Sequence, residues 1–420
     1  LFNIITMKSR TFLSLLAVTC TLCSCSDIME EPVVSSVEMK ISQELDYKVT
    51  PDEAMEIANG FFKQKLSRSA VLNTDYATIT PKSRAESADT LAYIVTPSDG
   101  EGFVLVSTDK RMPPVLAFSE TGTFSYTESP DDPVYAGFIY NLQKYIKYYK
   151  GYGTEGYNFK PEYNLFDKIV ELCSEESWEW NQSMLPYTKY VEEEYPGCPV
   201  GCVGIATGIA MLYCRDSVTI SGEYFDLYAI REGMKNGVSL GPIYGEIHHP
   251  KYLDSNLSRL IYSKEQAYDK IAKLLFLIGK NLHFKYQPQK TSGQSYKVPD
   301  FLIQLGYDVK CDPDNILNFY KYNLLDIVKE IEQGNIIYIF HTSVHNGHAW
   351  IIDGCCFDYM SNSSEITQDN LANVFVHCNW GNYSAANGYF YGDVFYLSYE
   401  MYDKMQYLPI RSTREFSSKY

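Results

Sequence analysis

The sequence is short of basic residues. Lys and Arg total 36 against 52 Asp and Glu, which gives the 420 residues a net charge of −16. A protein that binds nucleic-acid phosphates needs a basic face, so this balance argues against nucleic acid as a partner. Long apolar runs are missing too, since no segment approaches the roughly 18 uninterrupted apolar residues of a membrane-spanning helix. Gly and Pro, at 26 and 18 residues, are too few for a collagen-like or low-complexity chain.

Apolar residues are abundant. They make up 45% of the sequence, so the chain can bury a sizeable core. The length of 420 residues favours two or three domains. Composition therefore indicates a globular, acidic and exported protein, and it does not indicate any reaction.

The first residues resemble a bacterial export signal. A basic stretch at residues 7–10 precedes an apolar run at residues 12–17 that is too short to span a bilayer, and we expect translation to begin at Met7. Residues 22–25 (LCSC) resemble a lipobox in which Cys25 carries the lipid. We expect residues 1–25 to be upstream sequence and a lipoprotein signal peptide, followed by a linker at residues 26–44. An ordinary signal peptide cut nearby is the alternative.

This interpretation predicts where the protein acts. It would be exported and held at the outer membrane through lipid only, as a periplasmic or cell-surface lipoprotein. Cleavage after the amino-terminal region would release the remainder of the chain from the anchor.

The cysteine count bears on both redox state and chemistry. Eight of the 11 cysteines lie beyond the signal region. An exported protein can pair all eight, but a catalytic thiol would leave an odd number. We therefore expect some cysteines to be free, buried small residues.

A first block of the chain is predicted to be a small α+β domain. Residues 50–66 open with Thr50, Pro51 and Glu53, which suit a helix cap, its first position and a capping box. Strands are predicted at residues 90–96, 102–107 and 115–118, and a second helix at about residues 134–150. Residues 151–158 (GYGTEGYN) are typical of a linker. We assign residues 45–150 to this domain and residues 151–165 to the linker.

The second block, residues 166–420, has helices first and strands last. Residues 202–213 (CVGIATGIAMLY) are apolar nearly all round and predict a helix buried in a core. Further helices are predicted at residues 264–282, 298–305 and 323–333, and strands at 336–340, 349–353, 374–377 and 388–397. This order favours an α+β fold with an antiparallel sheet over an alternating parallel one.

Several motif matches lack the structural context they need. The G-x-G-x-x-G at residues 151–156 follows a predicted helix instead of a strand, which argues against dinucleotide binding. The G-x-S-x-G at residues 237–241 follows a polar segment and precedes Pro242, which argues against a nucleophile elbow. His341, His345 and His348 have no acidic residue among them and do not share a helix face, so we expect no metal site.

Cys202 is the candidate nucleophile. A thiol nucleophile must be a thiolate, so its pKa has to fall below about 8.5. A helix N-terminus and a neighbouring imidazolium both lower a thiol pKa. Gly201 and Cys202 stand where the apolar helix begins, after the turn-forming residues 196–199 (PGCP). An inert buried cysteine is the alternative reading of the same residues.

Three further residues complete a thiol-protease constellation. His348 follows the cysteine at the separation and in the chain order of a papain-type site, and Asn379 follows the histidine. The amide oxygen of Asn379 can accept from the imidazole and hold the ring without adding charge, and Trp380 can shield that bond from water. The Gln182 amide, with the Cys202 N–H, can stabilise the oxyanion.

Taken together, these segments resemble the streptopain family. The resemblance is carried by Trp180-Asn181-Gln182, Pro186-Tyr187, Cys198-Pro199, Gly201-Cys202-Val203, residues 347–354 (GHAWIIDG), Asn379-Trp380-Gly381 and residues 387–390 (NGYF). Residues 102–107 (GFVLVS), 113–116 (PPVL) and 122–124 (GTF) resemble that family's propeptide.

The resemblance implies a papain-like two-subdomain catalytic fold preceded by the small prodomain. It implies that Cys202 is the nucleophile, His348 the general base and acid, and Gln182 the oxyanion donor. Asn379 and Trp380 would orient and cover the histidine, with Gly347 and Gly201 beside them at the cleft. It also implies inhibition by the chain's own propeptide, autocatalytic maturation near the linker, and preference for an apolar residue one position before the cleaved residue.

The sequence departs from the family pattern in a few places. The loop at residues 382–387 has no glycine where the family has a mobile glycine-rich loop, and Thr188 replaces an Asn. Gly204 and Gly208 replace larger residues inside the predicted helix, where glycine costs about 1 kcal/mol relative to alanine. None of these positions carries one of the four chemical roles.

We therefore expect a secreted cysteine endopeptidase made as a zymogen, with protein or peptide substrates and no cofactor or metal. The main alternative is a catalytically silent papain-fold lipoprotein that binds or inhibits a partner protease. A transglutaminase-like acyl transferase is a third reading, although such enzymes usually prefer Asp to Asn at the third position.

Overall fold

A computed structural model describes most of the chain from Tyr47 onward. The described residues are 47–64, 76–80, 90–126, 132, 134–152, 166–173, 177, 179–236, 262–288, 290–315, 317–342, 347–361, 363–382, 386–395 and 404–413. The predicted signal peptide, the candidate lipid anchor Cys25 and the 26–44 linker lie outside them, as do residues 153–165 of the second linker. The residues from Tyr47 onward form one compact unit.

The amino-terminal block has the helices and strands that its sequence predicts. Helix α1 spans Pro51–Gln64. Its capping box is present, because the Glu53 N–H donates to Thr50 Oγ1 at 3.2 Å and the Thr50 N–H donates to Glu53 Oε2 at 2.8 Å. The strands are β1 (Ala77–Ile79), β2 (Ala92–Val95), β3 (Phe103–Ser107) and β4 (Val115–Ser119). A π-helical turn, Tyr135–Ile139, leads into helix α2, Tyr140–Tyr152, which ends two residues inside the predicted linker.

The second block places most of its helices before its long strands. In chain order its elements are β5 (Lys168–Glu171), α3 (Lys189–Glu194), α4 (Cys202–Cys214), β6 (Ser217–Ile220), β7 (Glu223–Asp226), α5 (Leu227–Asn236), α6 (Lys264–Asn281), β8 (Lys285–Gln287), β9 (Lys290–Ser292), α7 (Val298–Gln304), β10 (Tyr320–Lys321), α8 (Leu324–Glu332), β11 (Asn335–Thr342), β12 (His348–Tyr359), β13 (Leu371–Asn379), β14 (Gly388–Tyr391) and β15 (Lys404–Arg411). The predicted α+β class with an antiparallel sheet is confirmed.

One antiparallel sheet runs through both blocks. Its strand order is β1-β2-β3-β4-β14-β13-β12-β11-β15-β10, and β5 pairs with β12. The two blocks meet where β4 pairs with β14, with Phe118 opposite Tyr389 and Ala117 opposite Phe390. The Phe118 and Tyr389 rings stack with centroids 5.0 Å apart. The block boundaries at residues 150 and 166 stay a prediction, but the sheet itself does not stop between the blocks.

Helix α4 is the centre of the second block. Its residues are buried from Val203 to Cys214, because apolar side chains cover its whole circumference. It packs against β11 and β12 on one side and α6 on another. Gly208 permits this close packing, since a Cβ there would lie 2.7 Å from Leu275 Cδ2 and 3.0 Å from Trp180 Cζ3.

Two parts of the carboxy-terminal half differ from prediction. The strand predicted at residues 388–397 ends at Tyr391, and a 3₁₀ turn, Gly392–Phe395, follows. Gly392 packs closely on the first residue of α8, because a Cβ at this position would overlap the Leu324 side chain. The strand predicted at residues 349–353 continues to Tyr359. No helix within the described ranges is long and apolar enough to cross a membrane.

Candidate active site

Cys202 is the first residue of helix α4. The residue before it, Gly201, has φ 89° and ψ 149°, a conformation that is essentially restricted to glycine. This turn directs the chain into the helix so that Cys202 stands at the positive end of a buried helical dipole. The cysteine is half-buried, whereas the helix behind it is buried.

His348 is the first residue of strand β12 and contacts the Cys202 side chain. The two side chains are hydrogen-bonded, although 145 residues separate them in the chain. Burial raises the pKa of the Cys202 thiol. This rise is outweighed by the hydrogen bond with His348, the charge of His348 and the backbone N–H groups of Ala349 and Val203, all of which lower the pKa. The net pKa of Cys202 lies below that of an ordinary thiol. The arrangement therefore favours a thiolate beside an imidazolium.

The other cysteines do not share this environment. All eight cysteines of the described residues are free thiols. Burial raises the pKa of Cys311, Cys355 and Cys378, in the direction opposite to Cys202. These thiols are suited to packing and not to nucleophilic attack. The expectation that some cysteines are free and buried is confirmed.

Gln182 lies in a segment that is tied to the chain leading into Cys202. The Val200 N–H donates to the Gln182 carbonyl oxygen at 2.7 Å. One residue earlier, Asn181 forms a β-bridge with Asn382, and its Oδ1 accepts from the Ser183 N–H at 2.7 Å. The half-buried Gln182 side chain thus starts from a backbone that is fixed on both sides.

Asn379 is buried at the end of strand β13. It stands opposite Ile351, and Ile351 in turn stands opposite Tyr338 of β11. Its Nδ2 donates to the carbonyl oxygen of Ser177 at 3.1 Å and to Ser177 Oγ at 3.2 Å. Its Oδ1 accepts from the Gly381 N–H at 3.2 Å. The bond from the His348 imidazole to this oxygen stays a prediction.

Trp380 and Trp350 form an aromatic pair, and Trp350 follows the candidate histidine by two residues in strand β12. Their ring centroids are 5.1 Å apart, and Trp380 is held by a bond from its Nε1 to the Ala386 carbonyl oxygen at 3.0 Å. Gly137, from the π-helical turn of the amino-terminal block, lies directly against them. A Cβ on Gly137 would be 2.5 Å from Trp380 Cζ3 and 3.4 Å from Trp350 Cη2. The amino-terminal block therefore packs on the tryptophan that follows Asn379.

Two glycines stand next to the candidate nucleophile and histidine in the chain. Gly347 is exposed immediately before His348. Gly201 faces strand β9, where a Cβ would lie 3.1 Å from Thr291 Cγ2. Among the described residues, no group of three or more His, Cys, Asp and Glu side chains is placed to hold a metal ion. His345 of the sequence cluster lies outside the described ranges.

Sequence reasoning missed two residues near the site. Ser177 is fully buried and accepts both bonds from Asn379, but nothing in its local sequence marks it. Tyr338 is buried on β11, and its hydroxyl bonds with Ser295 Oγ at 3.0 Å. Burial raises the pKa of Tyr338, and the charge of Cys202 adds to the rise, which places the hydroxyl near the thiol.

Comparison with known proteins agrees with the sequence resemblance. A model of the Peptidase C10 family matches residues 180–390, and a model of the Spi protease inhibitor matches residues 46–146. Streptopain from Streptococcus pyogenes is 25% identical over 332 residues, which cover 71% of this chain and 73% of streptopain. A solved fragment of Prevotella intermedia prointerpain A is 18% identical, covers 79% of this chain and 98% of its own length, and gives a TM-score of 0.46. The predicted family is confirmed: the chain belongs to the Peptidase C10 family.

Proposed function

We propose that this protein is a cysteine endopeptidase made as a zymogen. The observation that carries the proposal is the hydrogen-bonded pair of Cys202 and His348 at the start of a buried helix. The thiol in that position has a lowered pKa, as thiol nucleophiles require. Membership of the Peptidase C10 family and the inhibitor-like region ahead of it support the same function.

In the proposed reaction, the Cys202 thiolate attacks the carbonyl carbon of the scissile peptide bond. The Gln182 amide and the Cys202 N–H donate to the oxyanion that forms. His348 gives its proton to the departing amine, which leaves a thioester on Cys202. His348 then takes a proton from water, and the hydroxide attacks the thioester, which releases the acid and restores the thiolate beside the imidazolium.

Asn379 and Trp380 would keep the histidine in its working orientation. The Asn379 amide has its NH₂ group bound to Ser177, which leaves its oxygen as the acceptor for an imidazole N–H. Trp380 is buried and held at both its indole and its backbone N–H, the latter by Asn387 Oδ1 at 2.9 Å. A fixed aromatic ring beside this bond would exclude water from it.

The amino-terminal block would act as an intramolecular inhibitor. It extends the sheet of the second block through β4 and β14 and packs Gly137 on Trp380. We propose that self-cleavage within residues 151–165 frees the enzyme from this block. Proteins and peptides would be the substrates, with an apolar residue favoured one position before the cleaved residue. The lipid anchor at Cys25 and a location outside the cytoplasm belong to the same proposal.

The Cys202→Ala variant of the full chain tests this function. It should neither hydrolyse unfolded casein nor process itself, whereas Cys311→Ala, which changes a thiol of raised pKa, should retain both activities. A thiol-directed epoxide should add one mass increment to the wild type and none to Cys202→Ala. If the wild type binds no epoxide and leaves casein intact, the protein is the catalytically silent binding protein instead. If Cys202→Ala still matures in isolation, the nucleophile is a different residue.

A further inference from the structure

Ser177 joins two parts of the candidate site that are far apart in sequence. It is fully buried, and both its carbonyl oxygen and its Oγ accept from Asn379 Nδ2, at 3.1 and 3.2 Å. The same carbonyl oxygen also accepts from the Trp180 N–H at 3.3 Å. One residue thus holds the amide at the end of β13 and the start of the segment that leads to Gln182.

These contacts determine which way the Asn379 amide points. A backbone carbonyl can only accept, so the side of the amide that faces Ser177 must be the NH₂ group. On the other side the Gly381 N–H can only donate, so that side must be the oxygen, at 3.2 Å. A flipped amide would place its oxygen against the Ser177 carbonyl oxygen and its NH₂ group against the Gly381 N–H. The oxygen therefore keeps one orientation and retains a second lone pair for an imidazole N–H.

The segment from Ser177 is fixed at its other end as well. Asn181 bridges Asn382, and the Gln182 carbonyl oxygen accepts from the Val200 N–H at 2.7 Å. Displacement of Ser177 would therefore move both Asn379 and Gln182, the proposed oxyanion donor. Ser177 is thus one point, beside the bridge of Asn181 to Asn382, at which these two segments are joined.

We propose that Ser177 is a positioning residue that orients Asn379 toward His348, an inference that rests on the proposed peptidase function. Ser177 would act through the Asn379 amide. Asn379 in turn would stabilise the protonated imidazole. Cys202 and His341, the latter opposite His348 on β11, are titratable residues that also lie beside His348. Loss of Ser177 Oγ should lower kcat and leave KM unchanged.

The variant Ser177→Ala keeps the backbone carbonyl and removes one of the two acceptors for Asn379 Nδ2. Because a single hydrogen bond is lost, we expect kcat to fall about threefold to tenfold. Active-site titration with the epoxide sets the enzyme concentration, so incomplete maturation does not count as lost activity. The pH profile gives a second readout: a less supported imidazolium loses its proton more easily, so the alkaline limb of kcat should move to lower pH.

A double-mutant cycle with Asn379→Ala tests whether Ser177 acts through the amide. Ser177→Ala should lower kcat in the wild type and add less than twofold in the Asn379→Ala background. The inference is overturned if the effect is equally large in both backgrounds, or if kcat drops without movement of the alkaline limb. If Ser177→Ala fails to fold, Ser177→Thr replaces it in the test. This variant retains the hydroxyl and should keep the wild-type alkaline limb, so a shifted limb in Ser177→Thr also overturns the inference. Loss of the proposed function itself would instead appear as casein hydrolysis by Cys202→Ala.

Discussion

Replacement of Gly201 by alanine tests whether the turn before helix α4 fixes the position of Cys202. Gly201 combines φ 89° with ψ 149°, where a residue other than glycine costs about 1–3 kcal/mol. A Cβ there would also lie 3.1 Å from Thr291 Cγ2 and 3.2 Å from Thr291 Cβ, so either the turn or strand β9 has to move. Since Cys202 is the next residue, a shift of the turn displaces both its sulfur and its N–H.

We expect Gly201→Ala to lower kcat/KM on a peptide substrate by about 100-fold, the cost of a misplacement of about 1 Å. Gly197→Ala is the matched control from the same loop. Gly197 also has a positive φ, 73°, but a Cβ there would meet no atom within 4 Å. The control should lose about 1–2 kcal/mol of unfolding free energy and keep kcat/KM near the wild-type value.

A second substitution separates the steric contribution from backbone strain. Thr291→Ser removes the methyl group nearest to the new Cβ and keeps the bond from its hydroxyl to the Pro199 carbonyl oxygen, at 2.5 Å. It should restore part of the activity of Gly201→Ala and leave the wild type unchanged. The reasoning is refuted if Gly201→Ala is as active as Gly197→Ala, with both enzymes counted by active-site titration.

Three further predictions follow from the same contacts. The rate of iodoacetamide alkylation of Cys202, followed by mass spectrometry, should rise at a lower pH than that of an ordinary thiol, because the pKa of Cys202 is lowered. His348→Gln removes the main influences that lower the Cys202 pKa, so it should move this rise to higher pH, and an unchanged profile contradicts the pairing. Gln182→Ala should lower kcat about 10²–10³-fold with little change in thermal stability, because its backbone anchor remains; an effect on KM alone would exclude the oxyanion role. Gly137→Leu should weaken the packing of the amino-terminal block on Trp380 and make the chain mature faster, as followed on gels. Lys147→Ala, at an exposed position of the following helix, should not change the maturation rate, and equal rates for the two variants would show that the tryptophan contact does not restrain the zymogen.

Local sequence patterns predicted the elements that carry the site. The uninterrupted apolar run from Val203 predicted helix α4 because only a helix surrounded by core tolerates such a run. Thr50 and Glu53 predicted the start of α1 because a capping box depends on residues three apart. The pairing of Cys202 with His348 came from chain order and chemistry, and the structure places the two side chains in contact.

Contacts between distant segments could not be predicted in this way. Ser177 and Asn379 are 202 residues apart, and a buried serine has no local pattern that distinguishes it from a turn residue. The pairing of β4 with β14 was missed for a related reason, since each strand is short and apolar and neither specifies its partner. The strand predicted to end at Asp353 continues to Tyr359, and the buried Asp353 side chain bonds with His377 Nδ1 at 2.5 Å, a residue of the neighbouring strand β13.

The register of the central strands explains why Asn379 and Trp380 contact different partners. Tyr338, Ile351 and Asn379 stand opposite one another across β11, β12 and β13, so their side chains share one face of the sheet. On this face the Asn379 amide contacts Ser177. Trp380, the next residue, packs on Trp350 and on Gly137 of the amino-terminal block.

The register shift between Ile352 and Gly354 maintains this arrangement. A slip of one residue in β13 would exchange the faces on which Asn379 and Trp380 lie, because side chains alternate between the two faces. The bulge absorbs the extra residue, Asp353, whose side chain is anchored by His377. Gly354 is required beside it, since a Cβ there would lie 2.6 Å from the Val170 carbonyl oxygen. With this register, Asn379 contacts Ser177 on one face of the sheet, and the adjacent Trp380 contacts Gly137 of the amino-terminal block on the other.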